Sequence, residues 1–316
     1  ALNIVLTIPS RLDPADLPPP ATPITMPRPT PTPRPSPNAV FARTATRQLA
    51  PPSRIAAQGD MAQPLDYHIL DVPLPPGAPV GLYSPWRLAR IAIEGATPHP
   101  DDLVESIAMA SIAPPAPTHR PMLQQRAVAA LSDAQLETVI LAGDAFSRDL
   151  PGRFLPNGAG DRLEDNAAGH IYRTGFFIGD GTGVGKGREV AACIRDRWNQ
   201  GHRKAIWVSR GTALLEDARR DHAALGGLPI DIQPIDSFPP GSPITMTSGI
   251  LFLTYASLRS ARHDRQSRLQ QIIAWAGDDF EGLLVFDASP EMGNAAGTAT
   301  EFGTARGSEQ GLAGVR

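Results

Sequence analysis

The chain contains 316 residues, of which 41% are hydrophobic, and its formal net charge is −3. This length allows two domains of roughly 100–200 residues each, and the charge excludes a uniformly basic nucleic-acid coat protein while still allowing a local basic groove. The single cysteine, Cys193, excludes a disulfide framework and any zinc site built from several cysteines.

The sequence contains no signal for a membrane or for secretion. No apolar stretch reaches the roughly 18 residues that a transmembrane helix needs. Residues 1–13 lack the basic region that begins a secretory signal, and the chain does not begin with Met. We therefore expect a soluble, cytoplasmic protein without membrane contact that forms part of a longer polypeptide.

Proline separates the first 65 residues from the rest of the chain. Residues 1–8 have the composition of one strand, whereas residues 9–52 alternate proline with threonine, arginine and serine. Proline fixes φ and removes a backbone donor, which favours extended, polyproline-like chain. We predict a largely disordered Pro-rich linker over residues 1–65, and a short PxxP ligand for an aromatic groove is the alternative.

Residues 66–126 have mixed composition and predict an accessory segment that leads into the main domain. A strand is predicted over residues 66–74, and a helix over residues 99–112 after an aspartate cap. The proline-rich residues 113–121 then end that helix. We expect this segment to pack against the domain that follows.

From Ala127 onward, apolar segments of strand length alternate with amphipathic segments of helix length. Such alternation is typical of an α/β domain whose parallel sheet carries helices on both faces. The residues after Asn294 are rich in Gly, Ala and Thr and predict a loop. The predicted strands lie at 174–180, 204–210, 250–257 and 282–287. The predicted helices lie at 131–146, 187–200, 212–227 and 268–276.

A glycine-rich segment between the first of these strands and the helix after it carries the strongest functional signal. It reads Asp180, Gly181, Thr182, Gly183, Val184, Gly185, Lys186, Gly187 and Arg188. Glycines let successive backbone N–H groups cradle phosphate oxygens, the helix N-terminus adds its dipole, and Lys186 supplies a positive charge for the β- and γ-phosphates. We predict a nucleotide-binding phosphate loop, and the alternative is a glycine-rich turn beside a surface lysine.

This loop departs from the standard pattern at two positions. Asp180 stands where the pattern has its first glycine, and Gly187 replaces the Ser or Thr that normally helps to hold Mg²⁺.

An acidic residue at the end of a later strand is the expected second element of a nucleotide site. Asp287 follows the apolar run LLVF and is predicted to hold Mg²⁺ through water, or else to cap the turn that follows. In ATPases with such a phosphate loop, the residue after this aspartate is usually a Glu that polarises the attacking water. Here it is Ala288. Lys186 and Asp287 are therefore the predicted catalytic residues.

Gln135 and a pair of arginines each have two interpretations. Gln135 precedes the first strand at a position where helicases read the adenine edge, yet Ser132 and Gln135 also match a helix capping box. Arg219 and Arg220, together with residues 209–212 after a strand, predict contact with a nucleic-acid backbone. A solvated helix face explains the two arginines equally well.

Several segments, taken in their order along the chain, resemble one known family. They are HPDDLVES, LSDAQLETV, GFFIGDGTGVGKGREVA, KAIWVSRGTALLEDARRDHAALGG and ILFLTYASL. Over roughly residues 66–316 this pattern resembles the Strawberry notch family of helicase-like ATPases, in a member of bacterial or phage type.

The resemblance implies a fold, cofactors and partners. Residues 127–316 would form the N-terminal RecA-like lobe of a superfamily 2 P-loop NTP hydrolase, truncated at its C-terminal end. ATP and Mg²⁺ would be the cofactors, and DNA or chromatin the target. The resemblance also implies a second RecA-like lobe outside this chain and is compatible with a methyltransferase-like domain upstream.

Motif by motif, the resemblance makes Gln135 the adenine reader and Asp287 the Mg²⁺-binding acid. The family shares glycine at position 187. After its aspartate, the family pattern continues Glu-Cys-His or Glu-Ala-His, whereas Ala288 and Pro290 stand at the Glu and His positions here.

Two functions follow as hypotheses. The first is the ATP-binding lobe of a helicase-like ATPase that acts on DNA or chromatin. The second is an ATP-binding scaffold or clamp that hydrolyses ATP poorly, because Ala288 replaces the water-polarising Glu. A small-molecule kinase fits less well, since Gln135 and the loops after the strands favour a motor.

Overall fold

The structure, a computed structural model, describes residues 60–158, 162–181, 183–258, 268–277 and 280–287, and the backbone of residues 298–300 and 303–305. The predicted linker up to residue 59, Thr182 and Ala288 lie outside this part. The strands are β1 Gln63–Pro64, β2 His68–Ile69, β3 Tyr83–Pro85, β4 Ile91–Ala92, β5 Val104–Ser106, β6 Met122–Leu123, β7 Phe154–Pro156, β8 Leu163–Asp165, β9 Lys204–Ser209, β10 Ile232–Pro234, β11 Gly249–Thr254, β12 Leu283–Phe286, β13 Thr298–Thr300 and β14 Gly303–Ala305. The helices are α1 Ile107–Ala110, α2 Gln125–Ala129, α3 Asp133–Phe146, α4 Lys186–Asn199, α5 Leu214–Ala224, α6 Tyr255–Leu258 and α7 Arg268–Ala276.

Four parallel strands form the central sheet in the order β10-β11-β9-β12. Ile206 of β9 is paired with Leu251 of β11 on one side and with Leu284 of β12 on the other. All four strands therefore end at the same edge of the sheet, which places the residues that follow β9, β11 and β12 close together. The predicted α/β class with a parallel sheet is confirmed.

Successive residues of β9 pack on opposite faces of the sheet, as the two-residue period of a strand requires. Ala205 and Trp207 belong to a buried cluster that includes side chains of α3, α4 and α5. Ile206 and Val208 belong to a second cluster that includes Ile272 and Trp275 of α7. Helices thus cover both faces, and the strands read as nearly continuous apolar runs because neither face meets water.

Residues 174–180, predicted as a buried strand, do not join the sheet. The segment has no strand assignment, and Phe177 within it is 66% exposed. A cavity of about 320 Å³ is lined by residues of this segment on one part of its wall and by residues of β12 on another. The apolar run alone does not make a strand, because a strand also needs a neighbouring edge that pairs with its backbone groups.

The segment before α3 also differs from its prediction. Residues 99–112 form β5 and the four-residue helix α1, not one helix, because Ser106 rather than an aspartate caps the helix by accepting a hydrogen bond from Met109 N. Leu65, Tyr67 and Ile91 lie in the same buried cluster as residues of α3 and α4. Residues 60–65 are therefore part of the folded chain although the predicted linker included them, and the division at Ala127 stays a prediction.

Smaller differences concern the ends of elements. The strand predicted over residues 250–257 ends at Thr254, where α6 begins, and β10 was not predicted. Residues 298–300 and 303–305 pair as an antiparallel hairpin where a loop was predicted. Among the helices that the structure describes, none combines the length and the apolar character that crossing a membrane requires.

Candidate functional site

The glycine-rich loop, defined here as residues 180–188, leads from the unpaired segment into α4. Gly183 and Gly185 have φ angles of 102° and 94°, in the left-handed region that L side chains rarely adopt. Gly185 is the N-cap of α4, and its carbonyl oxygen accepts hydrogen bonds from Arg188 N and Glu189 N. The two glycines thus turn the chain sharply and aim the first amides of α4 at the loop.

Lys186 is bound by its own loop. Its Nζ donates hydrogen bonds to Asp180 O at 2.8 Å and to Gly181 O at 2.9 Å. These carbonyl oxygens accept hydrogen bonds that the Lys186 ammonium group could instead donate to a phosphate. A phosphate oxygen is charged and would be a stronger acceptor than either neutral carbonyl oxygen. The loop therefore holds the Lys186 ammonium group in place by two hydrogen bonds that an anion can replace.

Gln135 joins the start of α3 to the loop. Its Oε1 accepts a hydrogen bond from Ser132 N at 3.0 Å, while its backbone N donates to Ser132 Oγ, so the predicted capping box is present. Its Nε2 donates to Val184 O at 2.9 Å. A Cβ added to Gly185 would lie closer than 3.0 Å to this Nε2, so the loop packs tightly on the amide. Adenine recognition by Gln135 stays a prediction.

Two buried acids lie beneath the loop. Glu189 of α4 is fully buried. Thr138 Oγ1 donates to its Oε1, its Oε2 has no donor among the described residues, and its carboxyl group interacts with that of Asp180. Burial, and then the Asp180 charge, raise the pKa of Glu189 to about 8. Burial also raises the pKa of Glu137 to about 7, with Glu105 as the next cause. With a pKa of about 8, Glu189 keeps its proton at neutral pH beside Asp180.

Asp287 is fixed at the end of β12 by three neighbours. Its backbone N donates to Val208 O at 2.8 Å, which extends the ladder of the sheet by one residue. Ser209 Oγ donates to its Oδ2 at 2.9 Å, and the Tyr255 hydroxyl donates to its carbonyl oxygen at 2.8 Å. Residues at the ends of β9 and β11 therefore hold the backbone of Asp287, and Ser209 orients its carboxylate.

One cavity brings the two predicted halves of the site together. The cavity of about 320 Å³ is lined by Asp180, Lys186 and Gly187 from the loop and by Asp287 from the sheet. Its remaining walls are mostly apolar, and Phe146 and Trp207 contribute to them. Ligand pockets typically have this character, with a few polar groups on an apolar wall.

The donors that are present fit a Mg²⁺ ion that arrives with a nucleotide. In the part of the chain that the structure describes, no group of three or more His, Cys, Asp or Glu side chains is arranged to hold a metal. In nucleotide sites Mg²⁺ is held by one or two carboxylates, while phosphate oxygens and waters complete its shell. Asp287, which lines the same cavity as Lys186, matches that pattern.

The remaining predicted residues have local partners. Arg188 Nη1 donates to Ala130 O, and so ties α4 to the chain before α3. Arg219 pairs with Glu216, and Arg220 pairs with Asp217, each within α5. These pairs favour the solvated helix face over a nucleic-acid contact for the two arginines.

Sequence reasoning missed Tyr255, Glu189 and the role of Ser209 toward Asp287. Only Glu189 carried a usable signal. It lies four residues before Cys193 on the predicted helix, so the two share a helix face. An acid on a face with apolar side chains predicts a buried carboxyl group with a raised pKa. Burial also raises the pKa of the Cys193 thiol, which lies in the core.

Comparison with known proteins agrees with this geometry. The profile of the family described as "P-loop containing NTP hydrolase pore-1" matches residues 98–316. The chain is 36% identical to Protein FORGETTER 1 of Arabidopsis thaliana over 211 residues, which are 65% of this chain and 15% of that protein. No solved structure matches the chain.

The other relatives carry the strawberry notch name. The chain is 34% identical over 203 residues to Protein strawberry notch homolog 2 of Mus musculus, covering 63% of this chain and 14% of that protein. It is 32% identical over 200 residues to Protein strawberry notch of Drosophila melanogaster, covering 60% of this chain and 11% of that protein. The chain thus spans only a small fraction of these relatives.

Proposed function

This chain belongs to the family of P-loop-containing NTP hydrolases whose profile it matches, and we propose that it is the ATP-binding, RecA-like lobe of a helicase-like ATPase of Strawberry notch type. The observation that carries the proposal is the shared cavity. Lys186 from the loop and Asp287 from the end of β12 both line it, although they are far apart in the sequence.

Each residue has a role in this proposal. Lys186 exchanges its bonds to Asp180 O and Gly181 O for the β- and γ-phosphate oxygens, and the amides at the start of α4 bind the same phosphates. Asp287, oriented by Ser209, holds the Mg²⁺ ion through water. When bound, Mg²⁺ neutralises charge on the phosphates. Gln135 reads the adenine edge while its Nε2 supports Val184 O.

Titration calorimetry of the 316-residue chain with ATP and Mg²⁺ tests the proposal. We expect saturable binding that weakens about 10–100-fold in Lys186→Ala, because a hydrogen bond to a charged group contributes roughly 1.5–3 kcal/mol. Arg203→Ala is the matched control, since it removes an exposed cation just before β9, at the opposite end of that strand from Asp287. Equal affinity in the wild type and in Lys186→Ala would refute the proposal.

We propose DNA as the target, with the loop after β9 as its contact. Arg210 is exposed at the end of this strand, at the same edge of the sheet as Asp287. Fluorescence anisotropy with a single-stranded oligonucleotide should show binding that weakens with salt. The slope should fall by about one in Arg210→Ala, as for the loss of one phosphate contact. Arg220→Ala should leave the slope unchanged, and a salt-independent signal would exclude this contact. A second RecA-like lobe would complete the motor.

The second candidate function is an ATP-binding scaffold that turns over slowly, and Ala288 favours it. Loss of a residue that orients or activates the attacking water commonly costs about 10²–10⁴-fold in rate. Ala288→Glu with Pro290→His, in a chain that includes the second lobe, should raise the ATPase rate by a factor in this range. No gain at unchanged ATP affinity would show that Ala288 does not limit turnover.

A further inference from the structure

Gly187 is the position at which the loop most clearly departs from the standard pattern. Its φ is not in the left-handed region, so backbone conformation does not require glycine there. With the Asp221 side chain as it lies in the structure, however, the space beside Gly187 is already filled. A Cβ added at position 187 would lie closer than 3.0 Å to Oδ2 of Asp221, a contact that real Cβ atoms do not make. A carboxylate oxygen therefore occupies the region in which a Ser or Thr side chain would lie.

Asp221 reaches this position from α5, which packs against α4. Its side chain is only 13% exposed, and its Oδ1 faces Arg220 Nε at 3.7 Å, while its Oδ2 faces Gly187. Burial raises the pKa of Asp221, and the guanidinium groups of Arg220 and Arg188 oppose that rise. The loop thus borders a largely buried carboxyl group with one oxygen directed at the residue after Lys186.

We propose that Asp221 supplies the oxygen for the divalent cation of the nucleotide that a Ser or Thr hydroxyl supplies in the standard loop. This inference rests on the proposed ATP binding. A carboxylate is a stronger ligand for a hard cation such as Mg²⁺ than a hydroxyl group, and Mg²⁺ in nucleotide sites commonly takes one or two carboxylates. Asp221 from α5 would then act together with Asp287 from the sheet, and Gly187 would leave room for it.

A purely structural role for Asp221 makes a different prediction from a cation-binding role. If Asp221 only joins α5 to α4, its loss weakens ATP binding equally with and without Mg²⁺. If Asp221 serves the cation, its loss weakens only the part of the affinity that Mg²⁺ adds. The ratio of the ATP dissociation constants in EDTA and in Mg²⁺ separates the two roles.

The first test measures this ratio by calorimetry in the 316-residue chain. Asp221→Asn keeps the shape of the side chain over Gly187 and removes its charge. We expect the Mg²⁺-dependent gain in ATP affinity to fall about tenfold or more, with the dissociation constant in EDTA unchanged. Asp217→Asn is the matched control, since it removes a carboxylate on the same helix that pairs with Arg220. An unchanged gain in Asp221→Asn would overturn the inference.

A second test exchanges the two oxygens. Gly187→Ser alone should weaken ATP binding in Mg²⁺, because its Cβ overlaps Oδ2 of Asp221. Adding Asp221→Ala removes the overlap and leaves a hydroxyl in place of the carboxylate, so the double variant should regain Mg²⁺-dependent affinity above that of Asp221→Ala alone. A double variant no better than Asp221→Ala would contradict the proposed role.

The outcomes also separate this inference from the proposed function. If the wild type does not bind ATP in either medium, ATP binding is wrong and the role of Asp221 fails with it. If ATP binds through Lys186 but Mg²⁺ adds no affinity, only the role of Asp221 is wrong. The same follows if Mg²⁺ adds as much affinity in Asp221→Asn as in the wild type. Thermal unfolding of each variant shows whether it folds. If Asp221→Asn does not fold, the Gly187→Ser and Asp221→Ala variants still test the role of Asp221.

Discussion

Asp287 and Lys186 line the same cavity, but the surroundings that hold them differ. Asp287 ends a strand of the sheet, and Ser209 and Tyr255, from two neighbouring strand ends, fix its side chain and its carbonyl group. Lys186 follows a segment that no described strand pairs with, and its ammonium group binds carbonyl oxygens of its own loop.

The comparison indicates that the two halves of the candidate site are held in place by different means. We call them the sheet half, with Asp287, and the loop half, with residues 180–188. In the sheet half, burial of both faces fixes the geometry. In the loop half, a few side chains fix it, and these are Gln135, Lys186 and the acid pair of Asp180 with Glu189. Changes in the loop half should therefore have the larger effects.

The largest expected effect concerns the buried acid of the loop half. The folded pKa of Glu189, about 8, lies above its ordinary value of 4.5, so between these values the folded state holds a proton that the unfolded state has lost. Stability therefore falls as pH rises through this window. Between pH 6 and pH 9 the free energy of unfolding should drop by about 2–3 kcal/mol from this group.

Glu189→Gln should remove that part of the pH dependence, because glutamine imitates the protonated acid. Urea unfolding at pH 6 and pH 9 measures it. Glu164→Gln, an exposed acid on β8, is the matched control and should leave the pH dependence unchanged. The same drop in Glu189→Gln as in the wild type would show that the loop half is not held by this proton.

Gly185→Ala tests the turn of the loop. We expect a loss of about 1–3 kcal/mol in the free energy of unfolding, because alanine is strained at a φ of 94° and its Cβ would overlap Gln135 Nε2. Gly181→Ala is the control, since its Cβ meets no atom within 4 Å and its φ is ordinary. Urea unfolding of the two variants should differ clearly, and equal losses would mean that the turn is not specified at Gly185.

Gln135→Ala should cost about 1–2 kcal/mol, because it removes two hydrogen bonds of a buried amide. Ser132→Ala removes only the cap and should cost less. The two variants also separate the interpretations of Gln135. If it reads adenine, Gln135→Ala reduces the preference for ATP over GTP in calorimetry, whereas Ser132→Ala leaves this preference intact. An unchanged preference in both would exclude adenine recognition.

The smallest effect is expected in the sheet half. Ser209→Ala removes the donor to Asp287 Oδ2, yet the backbone bond to Val208 O and the Tyr255 bond remain. The free energy of unfolding should fall by about 1 kcal/mol. Ser111→Ala, which removes an exposed hydroxyl at the end of α1, should have little effect on stability. A loss well above 2 kcal/mol would show that the sheet half is less redundant than its contacts indicate.

The sheet half could be predicted from the sequence because local pattern determines it. The apolar runs of β9, β11 and β12 and the periodicity of α3, α4 and α7 mark their positions to within a few residues. The aspartate after the last run lies beside the end of β9, as parallel strands require.

The loop half could be predicted only as a motif. An apolar run at residues 174–180 does not reveal whether a neighbouring edge is there to pair with it. The contacts of Asp221 with Gly187 and of Gln135 with Val184 join elements that lie apart in the sequence. Such contacts depend on how helices pack, which neither periodicity nor composition determines.

Hydrogen exchange with and without ATP and Mg²⁺ tests the difference between the halves most directly. We predict that nucleotide slows amide exchange in the loop half and at the start of α4, with little change in β9 and β12. Lys186→Ala should abolish this slowing. Slowing confined to β9 and β12, or the same slowing in Lys186→Ala, would contradict the assignment of residues 180–188 as the element that closes on the nucleotide.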